Sequence, residues 1–137
     1  MDIDYKINAP VSAQTFLDLL KGSTLGERRP INDLECITGM VNNSNLMISA
    51  WQGDTLVGIA RSVTDFHYAC YLSDLAVLTS HQRLGIGKHL QILTQQQLGP
   101  QCKLILLAAP AANEYYKHLG FEHNPRCWVL DRNQTLN

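Results

Sequence analysis

The stretch Leu75-Ala76-Val77-Leu78-Thr79-Ser80-His81-Gln82-Arg83-Leu84-Gly85-Ile86-Gly87-Lys88-His89-Leu90 decides the fold. It begins as an apolar strand, passes through a polar turn with two glycines, and enters an amphipathic helix. Such a turn aims several backbone N–H groups at one point beside the positive end of a helix dipole, which suits a phosphate. Two common phosphate loops do not fit. A P-loop needs a glycine five residues before Gly-Lys and Ser or Thr after it, and those places hold Gln82 and His89. A dinucleotide turn needs a third glycine where Leu90 stands. It also needs an acidic residue about 20 residues on, where Leu104-Ile105-Leu106-Leu107-Ala108-Ala109 is wholly apolar.

Working outward, the spacing predicts a first strand over residues 4–8, ended by Pro10. Ser12 caps a helix with Phe16, Leu17, Leu19 and Leu20 on its apolar face. Residues 21–29 read as a polar loop. Pro30 starts a second helix that carries Ile31, Leu34, Ile37 and Val41. Strands at 46–51 and 55–63 form a hairpin about Gly53-Asp54, and residues 69–78 form the central strand. The glycine-turn helix runs over 85–98 and stops at Gly99-Pro100. Residues 102–108 form a continuous apolar strand, expected to be covered on both faces. A helix over 112–119 and strands at 121–123 and 127–131 complete an α/β chain, a mixed sheet with helices on both faces.

The 137 residues suit one domain spanning 1–137. The net charge of −1 and the absence of a Lys/Arg cluster beyond Arg28-Arg29 argue against a nucleic-acid partner. No apolar run reaches the roughly 18 to 20 residues of a membrane span, and the start lacks the plan of a signal peptide. Cys36, Cys70, Cys102 and Cys127 are far apart and beside apolar stretches, so buried reduced thiols and a cytoplasmic setting are expected. The histidines His89, His118 and His123 lack metal-ligand spacing, so no metal is expected.

Gln82-x-x-Gly85-x-Gly87 resembles the pyrophosphate motif of the GNAT superfamily of acetyl-CoA-dependent N-acetyltransferases. Asn113-Glu114-Tyr115-Tyr116-Lys117-His118-Leu119-Gly120-Phe121 is similar to that family's C-terminal signature. The resemblance implies a GNAT fold whose parallel fourth and fifth strands splay apart. It implies acetyl-CoA as co-substrate, with pantetheine on the edge formed by Leu75, Ala76 and Val77. Pyrophosphate would lie on Gln82, Arg83, Leu84, Gly85, Ile86, Gly87 and Lys88. It makes Tyr116 the acid that serves the leaving thiolate, with Asn113 on the same helix face as a further cofactor contact.

Asp74, a carboxylate inside an apolar strand, is the first candidate for the base, with His67, Asp65 and water as alternatives. Strand alternation puts Asp74 with Leu72 and Ala76 unless a bulge intervenes. Glu27, Arg28, Arg29, Asp65 and His67 sit on loops that border the acceptor cleft in the family. The expected activity is direct transfer of acetyl to the primary amine of a small molecule in a ternary complex. A protein or peptide amine, or a non-catalytic acyl-CoA-binding module, stands as the alternative. No nucleic-acid or membrane partner is expected, and a homodimer is compatible with the sequence.

Overall fold

The computed structural model describes residues 2–137. The chain forms two compact units, one running to Leu107 and one over Ala108–Asn137.

The first unit is built on five strands, β1 (Asp4–Ile7), β2 (Leu46–Gln52), β3 (Thr55–Thr64), β4 (Ala69–Val77) and β5 (Lys103–Ile105). They lie side by side in sequence order. The pairs are antiparallel except β4 and β5, which run parallel. Helices α1 (Ala13–Lys21) and α2 (Leu34–Asn43) cover one face, and α3 (Ile86–Gln96) covers the other. Phe16, Leu20, Ile37 and Val41 pack with Leu56, Ile59 and Ala76 on the first face. Ile86 and Leu90 pack with Ile48, Ala60, Cys70 and Leu72 on the second. Burying such side chains contributes about 1.5–3 kcal/mol each. A Cβ at Gly58 would come within 3.1 Å of Ile86 and 3.2 Å of Leu90, so this glycine lets α3 lie close on β3.

Ser12 caps α1 as expected, accepting from the Thr15 N–H at 3.1 Å. The second helix starts later than Pro30. Asp33 is its cap, accepting from the Cys36 N–H at 3.0 Å, while Pro30 closes a turn through the Asp33 N–H. An aspartate that satisfies a first-turn donor fixes the start more firmly than a proline that only tolerates it. The loop expected at 21–29 contains a 3-10 turn over Thr24–Arg28.

Two features of β4 set up the site. Arg61 pairs with Asp74 and Ser62 with Leu72, so Ser73 is an extra residue, a β-bulge. It breaks the alternation expected from sequence. Cys70 and Leu72 enter the α3 core, whereas Asp74 sits opposite Arg61 on the face of Ala76 and α2. The second feature is divergence. Only Ala69, Cys70 and Tyr71 have partners on β5, so residues 72–77 continue without it. The apolar strand expected over 102–108 is shorter and less covered. Ile105 and Leu107 are about half exposed, because a strand lasts only as long as its ladder partner.

The second unit holds a 3-10 turn (Pro110–Ala112) and helix α4 (Asn113–His118). The strands expected at 121–123 and 127–131 are not formed. Cys127-Trp128-Val129-Leu130 is apolar, but it has no ladder partner among the described residues, and Trp128 is 91% exposed. No helix among the described residues is long and apolar enough to cross a membrane.

Candidate active site

The turn after β4 is anchored at both ends. The Leu78 N–H donates to Val57 at 2.9 Å, and the Thr79 N–H donates to Gly22 at 3.0 Å, at the end of α1. Arg83 and Gly85 then take left-handed backbone angles, φ 64° and φ 83°. Such reversals gather successive N–H groups into an anion-binding concavity. A Cβ at Gly85 would meet nothing within 4 Å, so glycine is needed there for its angle, not for space. The first helical bond of α3 runs from the His89 N–H to Gly85 at 3.0 Å. The N–H groups of Ile86, Gly87 and Lys88 therefore point out of the helix start. Ile86 is buried and pins the turn, while Arg83, Leu84, Gly85 and Lys88 are exposed around it. Gln82 folds back, its side chain donating to the Val77 carbonyl at 3.4 Å. His81 is tied to Gln52 and Ser80.

The free edge of β4 adjoins this turn. Backbone groups alternate along a strand, and Leu78 turns its N–H to β3. Ala76 therefore faces β3 as well, while Leu75 and Val77 present N–H and C=O groups to the open side. Two such residues next to an anion-binding turn match an extended ligand that carries amides and ends in phosphates. Pantetheine and pyrophosphate fit this arrangement. Of the three edge residues expected from sequence, Ala76 is a buried spacer.

Asp74 is fully buried, and both its carboxylate oxygens are engaged. Arg29 Nε donates to one and Arg61 Nε to the other. Arg61 also donates to the Met40 carbonyl at 3.3 Å and to Ser44 and Ser73 Oγ at 2.9 Å each. Arg29 donates to the Ser73 carbonyl at 2.7 Å and the Arg28 carbonyl at 2.8 Å. This placement differs from that of an open base, because no carboxylate oxygen faces solvent. Sequence reading missed Arg61. Its signal was a lone charge in the apolar run Leu56-Val57-Gly58-Ile59-Ala60-Arg61, two-thirds of the way along a strand beside another lone charge.

Asp65 lies exposed in the turn between β3 and β4. One of its oxygens accepts from the N–H groups of His67, Tyr68 and Ala69 at 3.0, 2.8 and 3.1 Å. Those bonds, that from Tyr68 first, lower its pKa to about 2. Through that oxygen the side chain organises its own loop. His67, Glu27 and Arg28 are exposed.

In the second unit, Tyr116 stacks edge-on with Phe121, ring centroids 5.5 Å apart. Burial first, and then Tyr115, raises its pKa above the ordinary phenol value. Asn113 is exposed at the start of α4. The cysteines are free, but only Cys70 is buried, and Cys36 and Cys127 are exposed, because apolar neighbours in sequence do not fix which way a thiol faces.

Residues 27–126 match the acetyltransferase (GNAT) domain. The chain belongs to this family. It is 29% identical over 104 residues to the uncharacterised N-acetyltransferase ycf52 of Pyropia yezoensis, covering 72% of this chain and 58% of that protein. The chain thus spans about three-fifths of the length of that curated relative. An acetyltransferase of the GNAT family from Streptococcus pneumoniae is 25% identical, with a TM-score of 0.70 over 94% of this chain and 98% of its own. The fold is shared with the aminoglycoside N-acetyltransferase AAC(6')-Iy in complex with CoA, at 17% identity. The TM-score there is 0.72, covering 97% of this chain and 96% of that one.

Proposed function

We propose that this chain transfers acetyl from acetyl-CoA to the primary amine of a small molecule, by direct attack in a ternary complex. The observation that carries this is the free β4 edge beside the left-handed turn that opens α3. Leu75 and Val77 would pair with the pantetheine amides. The N–H groups of Gly85, Ile86, Gly87 and Lys88 would hold the pyrophosphate, with Arg83 and Lys88 adding charge. Acetyl-CoA supplies an activated thioester. The amine lone pair bonds to the acetyl carbon as the C–S bond breaks, and the electron pair leaves on sulfur. The family resemblance makes Tyr116 the residue that would give that sulfur its proton, and a phenol with a raised pKa is still protonated at neutral pH.

Asp74 acts in this scheme by holding Arg29 and Arg61, and the amine loses its proton to water. The aminoglycoside acetyltransferase among the structural relatives supports a small-molecule acceptor. A cytoplasmic setting suits the free thiols. The test is a screen of CoA release over amines, polyamines, amino acids, aminoglycosides and peptides. Turnover with a small amine is expected. Acetylation of peptide N-termini far faster than every small amine would overturn the acceptor class, and turnover with none would favour a binding module.

A further inference from the structure

The cluster at the β4 bulge has an imbalance. Two guanidiniums share one carboxylate, and these are the only two ion pairs among the described residues. The cluster therefore carries one positive charge in excess. Its members differ in access. Asp74 is sealed, the Arg61 side chain is 7% exposed, and the Arg29 side chain is 22% exposed. Donor counting also separates them. A guanidinium has five N–H groups. Arg61 uses four, whereas Arg29 uses three, leaving one on each Nη. Arg29 is thus the arginine with both open donors and an open side.

Its position along β4 gives this surplus a use. The phosphate turn follows Val77, so Val77 lies nearest the pyrophosphate, then Leu75, then Ser73. Arg29 caps the Ser73 carbonyl, two residues past Tyr71, the last β4 residue with a β5 partner. It stands at the far end of the free edge from the phosphates, where the acyl end of an extended ligand falls. Among the described residues Arg29 has no ion pair other than the one it makes with Asp74, and Asp74 is shared with Arg61. A partly buried positive surplus with two free N–H donors favours a carboxylate, which a guanidinium fork binds in bidentate fashion.

We propose that Arg29 is the specificity-determining residue for the acceptor, and that the preferred substrate is a small amine bearing a carboxylate. This rests on the amine-acetylating function proposed above. Asp74 is a positioning residue that holds the Arg29 fork in place.

The test compares amines in matched pairs that differ by a carboxylate, such as phenylalanine with phenethylamine and lysine with cadaverine. In the unaltered protein, kcat/KM should favour the carboxylate-bearing member by about tenfold or more. Arg29→Gln should bring that ratio close to one. Arg29→Lys, which keeps the charge and loses the fork, should keep part of it. A ratio near one or reversed in the unaltered protein, or one that survives Arg29→Gln, overturns the proposal. Calorimetry on the CoA-loaded protein separates this failure from that of the broader function. N-acetylphenylalanine should bind more tightly than N-acetylphenethylamine, and only while Arg29 is present. That preference with no amine acetylated would keep the carboxylate site and reject the transfer function. Equal binding of the two would reject the carboxylate site whatever the screen gives.

Discussion

Asp65 lies in the turn between β3 and β4 and Asp74 within β4, and their surroundings give the two carboxylates different tasks. Asp65 is exposed and held ionised by three backbone N–H groups. Its folded pKa lies below the unfolded value near 3.9. Its contribution to loop order is therefore fully present above about pH 4 and is lost as pH falls through about 2. The amide shifts of His67, Tyr68 and Ala69 should titrate with a midpoint near 2; a midpoint near 4 would mean the bonds are absent in solution. Tyr116→Phe removes a hydroxyl and keeps the ring, so kcat should fall by about 10²–10⁴ with acetyl-CoA affinity unchanged. A drop for Tyr115→Phe alone would name the other ring. At this scale the sequence reading singled out Asp74 but not its partners. A lone carboxylate in an apolar strand announces that it needs a cation, yet Arg29 and Arg61 lie 45 and 13 residues away. Spacing carries no such information.

Among the elements, the strand, turn and helix around residues 75–90 were the most legible part, because periodicity changes from two to 3.6 across a glycine turn. A bulge in this strand stood as the alternative to strict alternation, but its place at Ser73 was not legible. An inserted serine alters pairing without altering composition, yet it moves Asp74 from the side of Leu72 to the side of Arg61. Apolar runs misled in the other direction. Residues 102–108 and 127–130 have the composition of buried strands, but pairing, not hydrophobicity, makes a strand. Gly85 allows a direct test of the turn. Gly85→Ala meets no atom, so its cost should be the left-handed backbone alone, about 1–2 kcal/mol by urea unfolding. No measurable loss would show that this angle is not adopted. The thiols test burial across elements. Cys36 and Cys127 should react rapidly with a thiol reagent, whereas Cys70, buried and raised in pKa, should react only on unfolding.

For the whole molecule, the Arg29–Asp74–Arg61 cluster joins the loop after α1 to β3, β4 and the end of α2. Removing its only carboxylate by Asp74→Ala leaves two guanidiniums unpaired and should cost about 3–5 kcal/mol in urea unfolding. A loss under about 1 kcal/mol would mean that water already screens the cluster. The claim on which the proposed chemistry depends is that the turn opening α3 holds the pyrophosphate of CoA. Gly87→Glu places a carboxylate where that anion would lie, and like charges a few ångströms apart near a surface repel by about 4 kcal/mol. Calorimetric titration of acetyl-CoA should show binding to the unaltered protein and a loss of about 10²-fold or more in Gly87→Glu, with the circular dichroism spectrum unchanged. Equal affinity in the two folded proteins would contradict the site.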